Sequence, residues 1–542
     1  MYILGINGGV RAGYQDVSTV LLKDGAVIYA IAEERLNRKK HAAGQLPYLG
    51  IKAALNFAKI KIEDISYLAT HGSTWGEAYE MVLEEYMLYN FGFCPKIARI
   101  HHHLAHAASA YYGAGFDDAM ILTMDASGDG IAVQKAIGRQ GKIEIKEQIS
   151  RDNSLGIFYS IMTQYCGFTR DTDEYKLMGL APYGKAKNIS LEELLSVTNE
   201  SYTLNASFLK ELIPGAPQGS RQQAAYSKKL IELLGPPRLP GMEMKPHYMD
   251  VAASAQEKLQ EAIITLVSRF HKETGLRKLC LAGGVALNCE ANRFLMNLDF
   301  IDEIFVQPAS GDDGISLGAA WYLSNEMGKK PVPSSNYYLG DQYSNEEIEQ
   351  NLSLMNVDYT FVSDPAEYAA KLVAENKVVA WFQGRDEFGP RALGARSILA
   401  NPKQANMKEE LNLKIKFREG FRPFCPSVLE EDLAIHFAGK STKSPYMTIN
   451  YDVIKPEEAP SICHVNNTAR IQSVNEVDNQ LYYTYLKALK KQLGIALSIN
   501  TSFNRNQEPL IHSPIEAVSA YYGSGMDALV IGNFVLQKSN KR

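Results

Sequence analysis

The chain has 542 residues and no apolar run long enough to cross a bilayer. Nor does it carry a basic, then apolar leader. Met1-Tyr2-Ile3-Leu4-Gly5-Ile6 runs straight into a strand-like pattern, so no signal peptide is expected. Its six cysteines (Cys94, Cys166, Cys280, Cys289, Cys425, Cys463) are scattered, with no C-x-x-C pair. That spacing excludes a zinc knuckle or a disulfide frame and predicts buried thiols in a reducing cytoplasm. A net charge of −5 supplies no general attraction for nucleic acid, and there is no low-complexity tract. What remains is a globular composition, 46% hydrophobic and 22% charged, at a length that implies about two to four domains.

Against that background one stretch stands out: Ile100-His101-His102-His103-Leu104-Ala105-His106-Ala107-Ala108. Four of the eleven histidines fall within six residues. The alanines and leucine favour a helix, on which His102 and His106 share a face one turn apart and can grip one metal ion. The ordinary alternative is a polar helix end. The next segment, Ala119–Met124, reads as a buried strand and ends at Asp125, before the turn Ser127-Gly128-Asp129-Gly130. A carboxylate there stands where α/β proteins place ligands. Asp312, in Gly311-Asp312-Asp313-Gly314, offers a fourth donor, although it or Asp313 can equally cap the following helix; Asp312 is preferred. Two imidazoles and two carboxylates suit iron, zinc or manganese.

The first half alternates strands and helices. Tyr2–Asn7, Ser18–Lys23 and Val27–Ala32 predict an antiparallel meander, and a second meander starts at Ala119. Each is followed by further strands (Ile65–His71; Lys278–Ala282 and Glu303–Gln307) and by glycine turns. Two such halves describe a duplicated, actin-like α/β architecture. Leu155–Lys245 reads as an insertion over the cleft. The Pro, Lys and Ser-rich stretch Gly328–Ser335 marks a boundary, so the expected domains are 1–335 and 345–542. The second is a further α/β unit with strands at Val378–Phe382, Ile495–Ile499 and Ala528–Ile531.

Other chemistry-bearing positions follow from residue type. The turns at Gly128 and at Gly283-Gly284 can bring backbone N–H groups to an anion. Lys40, in Glu33–His41, and Glu174 with Lys176 are candidates to line the cleft; the last two share a face if extended. Between Arg385 and Arg422 lie nine basic residues against five acids, interleaved with Gly, Pro and Phe. In an acidic chain this favours a pocket for an anion over a solvated basic face.

These segments, in order along nearly the whole chain, resemble the O-carbamoyltransferase family of the nodulation-factor and tobramycin carbamoyltransferase type. The resemblance is carried by Ala32-Glu33-Glu34-Arg35 with Lys40-His41, His102–Ala107, Met124-Asp125-Ala126, Glu174–Gly184, Ala282–Asn288 and Gly311–Gly314. In the second half it runs through Gly384–Leu399, Lys416–Glu419, Phe421–Phe424, Arg470–Val474 and Asn500–Asn504. It implies an actin-like (ASKHA) transferase domain followed by a YrdC-like domain. The YrdC-like part would join carbamoyl phosphate and ATP, with Mg, into carbamoyl-adenylate. The N-terminal part, with bound Fe(II), would pass the carbamoyl group to a hydroxyl of a small molecule. His102, His106, Asp125 and Asp312 match the metal ligands. Arg391, Lys416, Arg422, Arg470 and Ser502 match the nucleotide and carbamoyl phosphate pocket, and Arg385 and Arg396 lie in the same basic run. Asp16 is the candidate base toward the acceptor, alongside His106 and Asp125 as catalytic metal holders. One departure concerns that end: where many members carry a His-Asp pair, this chain has Gln15-Asp16. No nucleic acid or membrane partner is expected, and a homo-oligomer is compatible with the sequence. The competing function is a tRNA threonylcarbamoyl-type modifier, disfavoured by the acidic charge.

Overall fold

The computed structural model describes residues 1–9, 16–210 and 223–538. They pack as two units, one made of 1–100 with 312–542 and the other of 101–311.

In the first unit, strands β1 (Tyr2–Asn7), β2 (Ser18–Lys23), β3 (Ala26–Ala32), β4 (Ile65–Thr70) and β5 (Lys96–Arg99) form a sheet in the order β3-β2-β1-β4-β5. The three strands of the meander pair antiparallel; β4 and β5 add in parallel. β1 is buried on both faces. Leu4 and Ile6 join an apolar cluster with Leu21, Tyr29, Ile51 and Leu83, while Gly5 faces the helix Asp313–Glu326. A Cβ on Gly5 would lie 2.1 Å from the Ser316 carbonyl oxygen, so only hydrogen there lets the helix come this close.

The second unit repeats the plan. β6 (Asp118–Gly128), β7 (Ile131–Arg139) and β8 (Lys142–Ser150) are an antiparallel meander. β9 (Leu195–Val197) and β10 (Tyr202–Leu204) form a separate ribbon, and β11 (Lys278–Ala282) and β12 (Glu303–Val306) extend the main sheet. Its order, β8-β7-β6-β11-β12, with two antiparallel and two parallel pairings, is the order of the first sheet strand for strand. The duplicated, actin-like α/β expectation is thus met in topology, although the two halves share little sequence. The helix Pro246–Thr274 opens on Pro246, which supplies a ready first-turn φ. Residues 211–222, within the expected insertion Leu155–Lys245, lie outside the described residues.

The C-terminal part of the first unit is a mixed eight-stranded sheet. Its strands are β13 (Thr360–Phe361), β14 (Val379–Phe382), β15 (Arg396–Ala400), β16 (Cys425–Leu429), β20 (Gln472–Val474), β21 (Leu497–Ser502), β22 (Ala528–Ile531) and β23 (Phe534–Gln537). A small sheet of β17 (Phe437–Ala438), β18 (Asn450–Val453) and β19 (Thr468–Arg470) lies beside β16 in the chain. Helices Pro365–Ala374 and Gln480–Leu493 cover the large sheet, burying Trp381, Tyr482, Tyr485 and Leu489. β15 and β16 were not expected: their Arg, Ser, Cys and Pro content hides strands that are buried throughout. Among the described residues no helix is long and apolar enough to cross a membrane.

Gly5→Ala should push the helix Asp313–Glu326 off the first sheet. The expected cost is about 1–3 kcal/mol, as for other overpacked cores, read as a lower urea-unfolding midpoint. An unchanged midpoint would show that this contact does not limit the packing.

Candidate functional site

In the second unit, His101 precedes the helix His102–Ala114, which ends at Gly115 in a left-handed conformation. Ala and Ser line its buried face and let it lie close to the sheet. The His102 backbone N–H donates to Asp129 Oδ2 at 2.9 Å. The His102 and His106 rings are 4.7 Å apart, and both Nε2 atoms converge on Asp125 Oδ2, at 3.1 and 3.3 Å. Asp125 sits where β6 departs from its pairing with β7, between Met124 and Gly128. That irregularity turns its carboxylate out of the ladder. Burial alone would raise the Asp125 pKa; hydrogen bonds to His102 and His106 hold it well below the usual carboxylate range. An ionised carboxylate beside two imidazoles is a donor set that fits a transition metal.

The glycines expected to cradle an anion have a visible steric use here. A Cβ on Gly128 would lie 2.0 Å from the His102 ring, and one on Gly283 2.1 Å from the Met124 carbonyl oxygen. Gly284 faces Asp125, with a Cβ position 3.2 Å from Oδ1. His103 points elsewhere. Its Nδ1 meets Thr123 Oγ1 at 2.7 Å and its Nε2 the Ile131 carbonyl at 3.0 Å, and burial drives its pKa well below the ordinary imidazole value. It is structural, as expected of a histidine on another helical face.

The extended geometry expected for Glu174 and Lys176 is overturned. Glu174–Leu180 is a helix, so residues two apart diverge by about 200°. The Leu and Met content favours it, and it passes into the 3-10 turn Ala181–Tyr183 at Pro182. Lys176 Nζ lies 3.1 Å from Asp173, while Glu174 accepts the Asp171 N–H at 2.6 Å. Burial, then the neighbouring Asp171, pushes the Glu174 pKa up to about 7.

In the first unit, Asp16 lies 2.6 Å from His41 Nδ1. Lys40 pairs with Glu34 at 3.1 Å and is exposed. Gln15 is outside the described residues. Asp312 occupies the N-cap position of the helix Asp313–Glu326, but its side chain makes no capping hydrogen bond, so capping does not account for it. Burial, then Asp16, Glu34 and Asp312, raises the Asp313 pKa to about 8.

The C-terminal basic run divides in two. Lys416 ends the π-helical segment Leu411–Lys416 and is buried. Its Nζ reaches Asn504 Oδ1 at 2.8 Å, Ser502 Oγ at 3.2 Å and the Ser502 carbonyl. Burial, then Arg418 and Arg422, drives its pKa well below the ordinary lysine value. Arg422 sits 3.6 Å from Glu419, and Arg470 Nε donates to Cys425 Sγ at 3.1 Å. Arg391 is half-buried in the loop before β15. Arg385 and Arg396 are committed elsewhere. Arg385 donates to the carbonyls of Gly340 and Ile28 at 2.9 and 3.0 Å. Arg396 is fully buried, stacks over Phe382, and pairs with Asp386 at 2.7 Å. Asp386 also holds His512 Nδ1 at 2.6 Å. Sequence reasoning passed over Arg418, Asn504, Asp129 and His41. Arg418, Asn504 and His41 stand in segments already quoted, the first two as polar side chains beside Lys416 and Ser502. Nothing local marks Asp129.

Asp386→Asn should leave Arg396 and His512 without their carboxylate, at about 3–5 kcal/mol, the usual cost of breaking a buried ion pair. The loss should appear as a lower urea midpoint at neutral pH. Burial raises the Asp386 pKa, but Arg396 and His512 bring it below the usual value. Its contribution is therefore present above the unfolded carboxylate pKa and lost as pH falls through the folded one. The gap between wild type and variant should close in acid; a gap that widens there would contradict this.

Residues 70–321 match the family described as Carbamoyltransferase N-terminus, and residues 370–538 match Carbamoyltransferase C-terminus. Nodulation protein NolNO of Sinorhizobium fredii is 35% identical, over 99% of this chain and 83% of its own. Nodulation protein NolO of Bradyrhizobium diazoefficiens is 36% identical, over 81% of this chain and 79% of its own. The 3'-hydroxymethylcephem-O-carbamoyltransferase of Amycolatopsis lactamdurans is 27% identical, over 69% and 66%. Among solved structures, HypF of T. kodakarensis aligns at 14% identity over 61% of this chain and 48% of that one, with a TM-score of 0.35. With both family segments present in order and relatives matched over most of their length, the chain belongs to the carbamoyltransferase family and is an enzyme of that class.

Proposed function

We propose that this carbamoyltransferase is an ATP-dependent O-carbamoyltransferase that works in two steps. Residues 345–542 condense carbamoyl phosphate with ATP to carbamoyl-adenylate and pyrophosphate. Residues 1–335 pass the carbamoyl group to a hydroxyl of a small molecule. The single observation that carries the first step is Lys416: a buried amine whose pKa is driven well down by burial and then by the neighbouring Arg418 and Arg422. Cationic groups that depress one another's charge in this way favour the arrival of an anion, which offsets their repulsion. Lys416, Arg391, Arg422, Arg470 and Ser502 are the proposed contacts to phosphate and carbamoyl oxygens. Arg forks take phosphate oxygens in pairs, and positioning with charge neutralisation is enough for attack at the α-phosphate. Arg385 and Arg396, with their donors already engaged, support the pocket from behind.

For the second step, His102, His106 and Asp125, which converge within the second unit, are the proposed holders of a metal ion, Fe(II) before Zn or Mn, with Asp312 as the fourth ligand that the family resemblance implies. When bound, that ion supplies Lewis-acid polarisation of a carbonyl. The chain's own residues do the rest. The His103 contacts and the Asp129 bond to the His102 N–H fix the helix that presents both imidazoles, and Asp16 supplies the acceptor-side carboxylate. Glu174, Lys176, Lys40 and the glycines at 128, 283 and 284 border this chemistry in the proposal. The acceptor class, a hydroxyl on a natural product or sugar, is supported by the named activity of the cephem carbamoyltransferase relative.

With ATP, Mg and carbamoyl phosphate the protein should release pyrophosphate, and no release under any metal condition would overturn the proposal. Arg391→Ala should abolish release. His106→Ala should retain it while lowering the metal content that survives dialysis; loss of both together would contradict the division between the two steps. The depressed Lys416 pKa also predicts proton uptake when ATP binds, since a bound anion favours the charged form. Calorimetry in two buffers of different ionisation enthalpy should show it for the wild type and not for Lys416→Met.

A further inference from the structure

We propose that His41 is the general base that takes the proton from the acceptor hydroxyl, and that Asp16 is the carboxylate that positions it. The inference rests on the two-step reading above and sharpens its acceptor side.

His41 is held by one bond to its ring and two to its backbone. Its Nδ1 lies 2.6 Å from Asp16 Oδ1. The Asp16 backbone N–H donates to the His41 carbonyl at 2.9 Å, so the two residues are tied through both backbone and side chain. The His41 N–H donates to Glu34 Oε2 at 2.6 Å, and the other Glu34 oxygen accepts Lys40 Nζ at 3.1 Å. The Asp16 carbonyl is itself held by Asn7 Nδ2 at 3.0 Å, at the end of β1. Both residues adopt left-handed backbone, Asp16 at φ 57° and His41 at φ 62°, and Ala42 follows at 45°. Three consecutive or bonded non-glycine residues in this region persist only where the surroundings over-determine them, and such strain gathers at functional sites.

The geometry leaves one nitrogen for chemistry. A neutral imidazole that gives its Nδ1 proton to a carboxylate presents a lone pair at Nε2. His41 Nε2 is buried and has no hydrogen-bond partner among the described residues. His103, by contrast, has both nitrogens hydrogen-bonded, the usual state of a buried imidazole in a purely structural role. Ser18, two residues after Asp16, donates its hydroxyl to the Asp313 carbonyl at 2.7 Å, beside Asp312. Burial opposes the charged imidazole, but Asp16 and Glu34 outweigh both that and Lys40, so the His41 pKa lies above its ordinary value. A base with a pKa near the working pH is the efficient choice, and a carboxylate already bonded to an imidazole is the weaker one.

In the step itself, the acceptor O–H bond breaks and its proton goes to His41 Nε2. The oxygen's electron pair forms the new bond to the carbamoyl carbon. The bond from that carbon to the adenylate phosphate oxygen breaks, AMP leaves with the electron pair, and the imidazolium returns its proton to solvent.

The test uses the full chain with ATP, Mg and carbamoyl phosphate, and ethylene glycol as the hydroxyl probe. Pyrophosphate, AMP and carbamoylated glycol are followed in a single turnover. His41→Gln should give the wild-type pyrophosphate burst, which also shows that it folds, while transfer to glycol falls about 10²–10⁴-fold. Hydroxylamine, a nucleophile that needs no base at neutral pH, should restore transfer, as hydroxyurea, to the wild-type rate. Asp16→Asn should move the acid limb of the transfer pH profile to lower pH, and His41→Gln should abolish that limb. Wild-type transfer to glycol by His41→Gln overturns the base. Failure to respond to hydroxylamine overturns it too, by showing that His41 only shapes the site. No pyrophosphate burst from the wild type overturns the two-step reading itself, and this inference with it.

Discussion

The buried carboxylate of Asp386 organises the larger unit. It is 1% exposed and carries two cationic partners, Arg396 at 2.7 Å and His512 at 2.6 Å. Its backbone carbonyl accepts the N–H groups of Leu339 and Gly340, both at 3.0 Å, and its N–H donates to the Asp341 carbonyl. Segment 337–341 is thereby pinned to the C-terminal sheet. The same segment reaches the N-terminal meander: Ala30 N–H meets the Leu339 carbonyl, and Tyr29 OH meets Asp341. Residues far apart in sequence are folded into one unit because these polar groups can satisfy one another only there. Breaking any one leaves a charge or a backbone group stranded in a poor solvent.

Around the histidine helix the governing constraint is steric. Gly128 and Gly283 each leave a gap that a single methyl group would close, against the His102 ring and the Met124 carbonyl. That absence of side chain lets two imidazoles and one carboxylate meet within hydrogen-bond distance. The short helix Glu33–Asn37 does comparable work by charge. Glu33 takes the first N–H groups of the next helix, Glu34 orders Lys40 and His41, Arg35 reaches the Gly389 carbonyl, and Arg38 the carbonyls of Pro509 and Leu510. A run of mixed charge that resembles surface in sequence is, at Glu33 and Arg35, almost wholly buried.

Much of this was legible beforehand. The alternation of apolar residues in the two meanders announced the strands, and the i, i+4 spacing of His102 and His106 announced a shared face, because both depend on local periodicity. The helical state of Glu174–Leu180 was misread because seven residues carry too little periodicity to separate helix from strand. Strands β15 and β16 escaped for a related reason. Their polar residues are buried by pairing with one another, as Ser427 is with Gln472 and Asn500, and that pairing leaves no apolar trace.

The sequence by itself therefore determined the elements with clear periodicity, the duplicated plan, the family and the residue types available for metal and anion, since periodicity, turn chemistry and long motifs are local properties. Only the tertiary structure decided which of those residues are spent on the framework and which are left for chemistry. Arg396 and Lys416 look alike in a basic run. One is neutralised by Asp386, and the other is buried beside two further cations. His103 and His41 each read in sequence as one more imidazole in a polar run. One has both nitrogens satisfied, and the other keeps Nε2 without a partner among the described residues. The difference is one of desolvation and of partners brought from distant positions, which no local pattern encodes.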